Sequence, residues 1–101
     1  MTHTIALPTN NKFEFIASIL ASWDESEVGV LNKRAALDQL LIRSEIDGYK
    51  KERINGDRDF LLWTKTGSDL SVYITRMEEG VYNIKIKTSN LIVRAIGIEE
   101  L

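Results

Sequence analysis

The sequence predicts an α+β fold in which two amino-terminal helices pack on one face of an antiparallel sheet of four or five strands. Between residues 60 and 98, short runs rich in Val, Ile, Leu and Tyr are interrupted at near-regular intervals by Gly, Ser, Asn and Asp. This pattern is typical of an antiparallel meander. Upstream, apolar residues recur at helical spacing instead. The chain has 101 residues, the usual size of one domain with one core.

The composition excludes several classes of protein. Hydrophobic residues make up 44% and charged residues 28% of the chain, as in ordinary water-soluble domains. The sequence contains no cysteine, which excludes disulfides and thiolate chemistry and favours a reducing, cytoplasmic compartment. No apolar run approaches the roughly 20 residues of a membrane span, and the amino end lacks a signal-peptide pattern. The net charge of −2 argues against a protein that binds the phosphate backbone of nucleic acids.

We expect one domain over residues 1–101, built from three consecutive parts. Residues 1–9 are predicted to form a flexible or edge-pairing terminus, residues 10–48 the pair of helices, and residues 49–101 the sheet. Pro8 marks the first boundary, because proline keeps the preceding residue extended and prevents a helix from beginning earlier.

The first helix is predicted over residues 12–23. Its apolar stripe comprises Phe13, Ile16, Leu20 and Trp23, which fall at helical spacing. Asn11 and Glu14 suit a capping box, in which a short polar side chain accepts from an early backbone amide and the acid three residues on reaches back. Because Trp23 closes the stripe, we expect it to lie in the core.

The second predicted helix begins at its cap, Asn32, and ends at Asp47 and Gly48, where glycine tolerates the left-handed conformation. One apolar face comprises Leu37, Leu40, Leu41 and Ser44, and the nearly opposite face comprises Ala35, Ile42, Ile46 and Tyr49. A helix that is apolar on two sides needs two surfaces against which to bury them. Either the sheet and the first helix cover both faces, or the face around Ile42 and Ile46 mediates self-association.

Residues 49–54 allow two interpretations. Asn55 and Gly56 form a strong two-residue hairpin signal, which favours a strand over residues 49–54 paired with a strand over residues 57–64. If the second helix instead continues through Gly48, the same two residues form its cap. We favour the hairpin.

Further strands are predicted over residues 59–66, 70–77, 81–88 and 91–98, joined by short turns. Alternation places two apolar sets towards the helices: Leu70, Val72 and Ile74, and Tyr82, Ile84 and Ile86. In the last strand both alternating sets are largely apolar, so the sequence does not determine which face is buried. The apolar set left uncovered makes Ile96 a candidate partner contact. Residues 60–63 are also apolar on both faces. Either Leu61 and Trp63 or Phe60 and Leu62 must therefore point away from the core, which makes Trp63 a candidate interface anchor.

The sequence contains no arrangement typical of an enzyme. His3 is the single histidine, and without cysteine neither a Ser-His nor a Cys-His pair can be assembled in one domain. No calcium loop or glycine-rich phosphate loop is present, so no catalytic residue, metal site or cofactor is predicted. We therefore expect a non-enzymatic protein–protein interaction module, a small regulator, inhibitor or adaptor that binds another protein or itself as a homodimer. The candidate contacts are Ile42, Ile46, Trp63 and Ile96.

The alternative is single-stranded nucleic-acid binding through the outer face of the sheet. The residues expected there are Tyr73, Lys85, Lys87 and Arg94. An aromatic ring for base stacking beside cations for phosphates is how sheet platforms hold single strands. The same residues would also suit an ordinary solvated sheet face, and the negative net charge disfavours this alternative.

Overall fold

The computed structural model describes residues 3–56 and 59–101. Within these residues, two helices precede a six-stranded antiparallel sheet, which confirms the α+β fold. In chain order the elements are α1 (Lys12–Leu20), α2 (Glu27–Ile42), β1 (Glu45–Ile46), β2 (Tyr49–Ile54), β3 (Phe60–Thr64), β4 (Ser71–Glu78), β5 (Val81–Lys87) and β6 (Ile92–Glu99). The strands lie in sequence order, so β1 and β6 form the two edges. The sheet has six strands rather than four or five because the short β1 precedes β2.

The amino-terminal segment packs against the domain. Ile5 and Leu7 are partly buried against the core, and His3 Nε2 lies 3.0 Å from Asn32 Oδ1 on α2. Residues 3–8 therefore lie beside the helical layer, and they pair with no described strand.

The cap of α1 comes from a distant turn. The Phe13 amide donates to Asp47 Oδ2 at 3.0 Å, whereas the Asn11 side chain makes no capping hydrogen bond. Asn11 adopts a left-handed conformation with φ 58°, unlike the extended backbone of a usual N-cap. The predicted cap at Asn11 is wrong, and the real one ties α1 to the turn between β1 and β2.

Helix α1 ends at Leu20, before Trp23 can join its apolar stripe. The Ser22 amide donates to the Ile19 carbonyl at 3.1 Å, a tightening that commonly ends a helix. Trp23 lies beyond this turn and is 92% exposed. The predicted core position of Trp23 is therefore wrong.

Helix α2 begins and ends earlier than the sequence predicts. Its cap is Ser26, whose Oγ accepts from the Gly29 amide at 3.1 Å, and not Asn32. Asp47 and Gly48 do not end the helix, because they join β1 to β2 with φ 52° and 84°. Positive φ at both positions is what a two-residue hairpin turn requires.

The shift in boundaries removes the second apolar face of α2. The buried side of the helix comprises Gly29, Ala35, Ala36, Leu37 and Leu40, while Ile42 is 67% exposed. Ile46 and Tyr49 are buried, but they belong to the β1–β2 hairpin. The prediction that the second helix has two apolar faces is wrong, because part of the second predicted face belongs to the β1–β2 hairpin.

Residues 49–54 form a strand, as favoured from the sequence. Ile54 pairs with Phe60, so the connection spans residues 55–59 and the predicted two-residue turn at Asn55 and Gly56 is wrong. Positions 57 and 58, where the predicted partner strand begins, lie outside the described residues.

A lysine on β2 joins the sheet to the end of α2. Lys51 Nζ donates to the Leu41 carbonyl at 2.7 Å, which gives a partner to one of the carbonyls left free at a helix end. Burial, and then the nearby charge of Arg53, lowers the pKa of the Lys51 amine.

Strand register decides which side chains enter the core. Val72 pairs with Ile86 and Ile74 with Ile84, and all four are buried, which confirms the predicted inner face of β4 and β5. In β3, Trp63 and Leu61 point inwards and are buried, while Phe60 and Leu62 lie on the outer face. Neither described helix has the length and apolarity needed to cross a bilayer.

The last strand changes face in its middle. Val93 and Ala95 face the helices through their pairs with β5, as does Ile98, which pairs with Tyr82. The register shifts between these pairs, and Gly97 there has φ 73°, typical of a β-bulge. Neither series of alternate residues in β6 is therefore buried along its whole length. For this reason the sequence pattern did not determine which face of the strand is buried.

Candidate functional site

The four predicted partner contacts separate into two buried and two exposed residues. Ile46 is 3% and Trp63 0% exposed, so both belong to the core and neither can touch a partner. Phe60 takes the outward position that Trp63 was expected to hold. Ile42 at the end of α2 and Ile96 on β6 are exposed, but only Ile96 lines a groove.

An open groove of about 910 Å³ lies between β6 and the helical layer. We call it the β6 groove. Its sheet side is the chain from Leu91 to Glu99, and its helix side includes Trp23, Val30, Lys33 and Arg34. Trp23 and Ile96 are the most exposed apolar residues here, and Val30, Leu91 and Ile92 are exposed as well. The groove therefore combines a large open apolar surface with three cations, Lys33, Arg34 and Arg94, and two carboxylates, Glu25 and Glu99.

The open side of the groove is the free edge of β6. The Leu91 carbonyl accepts from the Thr88 amide, and the Glu100 amide donates to the Gly80 carbonyl, both at 2.9 Å. Because antiparallel strands direct alternate residues to opposite neighbours, Ile92, Arg94 and Glu99 direct their main-chain groups away from β5. The edge thus offers donors and acceptors to an incoming strand.

Trp23 is presented by a connection that is itself hydrogen-bonded. The Asp24 amide donates to Ser22 Oγ at 3.1 Å, and the Ser26 amide donates to Asp24 Oδ1 at 2.9 Å. Hydrogen bonds from Ser26, with a smaller contribution from the charge of Lys33, lower the pKa of the Asp24 carboxyl. Trp23 is therefore the central residue of the first of two consecutive hydrogen-bonded turns.

Arg34 holds the carboxyl end of β6 against α2. Its Nε donates to the Glu99 carbonyl at 3.3 Å, and its Nη2 donates to the Glu100 carbonyl at 3.4 Å. The hydrogen bond from Arg34 Nε is possible because the Glu99 carbonyl points away from β5. The helix side and the sheet side of the groove are thus linked at one end.

The outer face of the sheet brings together the four residues of the nucleic-acid alternative. Tyr73 pairs with Lys85, and Lys85 pairs with Arg94, so these three form one row across β4, β5 and β6. Lys87 lies in the neighbouring row, opposite Ile92. Lys85 Nζ stands 4.3 Å from the centre of the Tyr73 ring, a cation–π contact that covers one face of the only aromatic ring in the predicted set.

Most residues of the β6 groove were not predicted from the sequence. Trp23 was expected in the core, because helical spacing alone does not reveal where a helix ends. Val30 and Leu91 gave no signal, since an isolated exposed aliphatic residue is common on protein surfaces. The one usable signal was the excess of apolar residues in the last strand, which identified Ile96.

No group of three or more His, Cys, Asp or Glu able to hold a metal occurs in the described part of the chain. Comparison with protein-family models, with curated proteins and with solved structures finds no match to this chain. The β6 groove and the outer face of the sheet are therefore the two surfaces considered as binding sites.

Proposed function

We propose that this protein is a non-enzymatic protein-binding module, a small regulator, inhibitor or adaptor, and that the β6 groove is its binding surface. The observation that carries the proposal is Trp23, which is 92% exposed beside the free edge of β6. Tryptophan is enriched among the residues that dominate binding energy at protein interfaces. The cysteine-free sequence supports a cytoplasmic setting for this binding.

The energy available from Trp23 is large for one side chain. Aromatic side chains bury roughly 150–250 Å² each. At about 25 cal/mol per Å², this corresponds to about 4–6 kcal/mol before the cost of association is subtracted. Ile92 and Ile96, which are 53% and 78% exposed, enlarge the surface that a partner can cover.

The form of the partner follows from the edge strand. Ile92 and Arg94 direct main-chain groups outwards, so a partner segment in extended conformation can add a strand to the sheet. In this recognition mode, main-chain hydrogen bonds supply affinity and the neighbouring side-chain surface supplies specificity. Here that surface is the helix side of the groove, with Trp23 and the cations Lys33 and Arg34.

A photo-crosslinking amino acid at position 23, introduced in the cells that produce the protein, tests the proposal. We expect a discrete covalent adduct, identified by mass spectrometry, because a partner in the groove would touch this position. The same probe at Glu79, an exposed residue of the β4–β5 turn, is the matched control and should give no such adduct. Changing Ile92 and Ile96 to Asp should abolish the position 23 adduct. Identical products from both positions, or none at all, would contradict the proposal.

Single-stranded nucleic-acid binding through the outer face is the second candidate. The observation in its favour is the row of Tyr73, Lys85 and Arg94 with Lys87 beside it, which concentrates three cations around one ring. The net charge of −2 and the covered ring of Tyr73 place it second.

Fluorescence anisotropy with a labelled single-stranded oligonucleotide at low salt tests this second candidate. The double change Lys85→Glu and Lys87→Glu should weaken binding by about tenfold or more, because phosphate contacts dominate such affinities. The pair Lys12→Glu and Lys65→Glu alters the net charge equally away from this face and should have a much smaller effect. Absence of binding by the unaltered protein at low salt would remove this candidate.

A further inference from the structure

We propose that the occupant of the β6 groove is a second copy of this chain, whose β6 pairs antiparallel with the first across a two-fold axis. The inference rests on the proposed function and identifies the partner. A two-fold interface uses the same patch on both copies, so the patch must be complementary to itself. The backbone, the side chains and the charges of β6 each satisfy this condition.

The two edges of the sheet differ in how they are protected. Strand β1 has two residues, and such shortness is a usual device against edge-to-edge pairing. Strand β6 has eight residues without proline, and its outward-facing side chains Ile92 and Ile96 are exposed and apolar. Apart from the bulge at Gly97 and the charge of Arg94, its long free edge therefore lacks the features that prevent strand addition.

The bulge in β6 selects the register. Residues directly opposite each other in an antiparallel pair lie on the same face of the sheet. Arg94 lies on the outer face beside Lys85, and Glu99 lies on the same face because the shift at Gly97 turns Ile98 inwards. Both residues also direct main-chain groups to the open side. The Glu99 carbonyl there already accepts from Arg34 Nε, so a hydrogen bond from the partner uses its second lone pair. Arg94 can thus lie opposite the partner's Glu99. The two-fold axis generates a second, equivalent ion pair between the partner's Arg94 and Glu99.

Neighbouring registers are less favourable. If one β6 strand slips by two residues relative to the other, Ile92 lies opposite the partner's Glu99. If it slips by two residues in the other direction, Ile96 lies opposite the partner's Glu99. Both slips leave Arg94 without an acidic residue opposite. In the selected register the axis passes between Ile96 and Gly97, where the absence of a side chain at Gly97 permits close approach. A Cβ added there would meet no atom of the described residues within 4 Å.

The same register closes the open side of the groove. It sets Ala95 opposite the partner's Ile98 on the helix-facing side. Because Ile98 is buried in its own core, the added strand covers the side lined by Trp23 and Val30 with its edge and not with that side chain. Trp23 should therefore lose much of its 92% exposure on dimerisation.

Charge exchange in the full chain tests the inference, with dissociation constants measured by analytical ultracentrifugation. The unaltered protein should form a dimer whose fraction rises with concentration. R94E and E99R should each weaken it by about tenfold or more, because each places like charges opposite one another at two equivalent positions. The double variant R94E/E99R restores opposite charges and should return the constant to within about threefold of the original. Lys50→Glu, a charge reversal on the outer face of β2, is the matched control and should leave it unchanged.

Acrylamide quenching provides an independent readout without a substitution, because Trp63 is buried and quenching reports mainly Trp23. Quenching should decrease as the concentration rises through the dimer transition. A protein that stays monomeric, or a double variant no better than the single variants, would overturn the inference. If such a monomer still gives a position 23 adduct with a different protein, the proposed binding function stands and only the second copy is wrong. Without any adduct, both fail.

Discussion

Replacing Trp63 with alanine is expected to lower the free energy of unfolding by about 3–5 kcal/mol. Trp63 is fully buried, and its ring lies 5.6 Å from that of Phe13, which stacks on Tyr49 at 3.9 Å. The truncation leaves a cavity at the junction of α1, β2 and β3. Among the described residues, buried Trp63 Nε1 has no hydrogen-bond partner, so its removal also relieves an unsatisfied donor, which places the loss towards the lower end of the range.

The same substitution at Trp23 is the matched control, measured by urea denaturation at a protein concentration low enough to keep the chain monomeric. Trp23→Ala should change the free energy of unfolding by less than about 0.5 kcal/mol, because the side chain is 92% exposed. Equal losses for the two variants would contradict the assignment of one tryptophan to the core and the other to the groove. A Trp63→Phe variant keeps the measurement possible if the alanine variant does not fold.

Truncation of Leu40 to alanine is expected to lower the free energy of unfolding by about 2–5 kcal/mol. Leu40 is fully buried on the sheet-facing side of α2, so the change removes apolar contacts and leaves a cavity. For a domain whose total stability is about 5–15 kcal/mol, either this loss or that at Trp63 should shift the urea midpoint visibly.

Ile42→Ala provides the comparison for Leu40, because Ile42 lies in the last turn of the same helix and is 67% exposed. The expected change is within about 0.5 kcal/mol. A loss at Ile42 as large as that at Leu40 would indicate that α2 buries two faces after all, as the sequence pattern first suggested.

The regions predicted correctly are those where one local pattern had one structural solution. In β4 and β5, strict alternation of apolar and polar residues leaves a single register that buries Val72, Ile74, Ile84 and Ile86. A slip by one residue would place Lys85 in the core, which costs far more than any local preference. The antiparallel order of these strands follows from the short turns between them.

The predictions that were wrong concern residues whose local pattern allowed two solutions. Asp47 and Gly48 suit a helix end and a hairpin turn equally, and their use as a turn moved Ile46 from a helix face into a strand. Asp47 then supplies the cap that Asn11 does not make. That hydrogen bond joins residues 34 positions apart, and no local pattern can reveal such a contact.

The candidate site was predicted only in part for the same reason. Ile96 was identified because the last strand has more apolar residues than one face needs. Trp23 was missed because its exposure depends on where α1 ends, and Trp63 was assigned to a surface because residues 60–63 are apolar on both faces. Alternation alone set the outer side of β4 and β5 for Tyr73, Lys85 and Lys87, whereas the side of Arg94 in β6 was decided only by the pairing with β5.

By itself, the sequence determined the fold class, the meander and the inner face of its central strands, because hydrophobic periodicity is a local property that burial must satisfy. Only the tertiary structure decided which tryptophan is buried, where β6 changes face and which edge of the sheet stays open. Those outcomes depend on contacts between residues far apart in the chain, where the packing of the whole domain selects among locally equivalent alternatives.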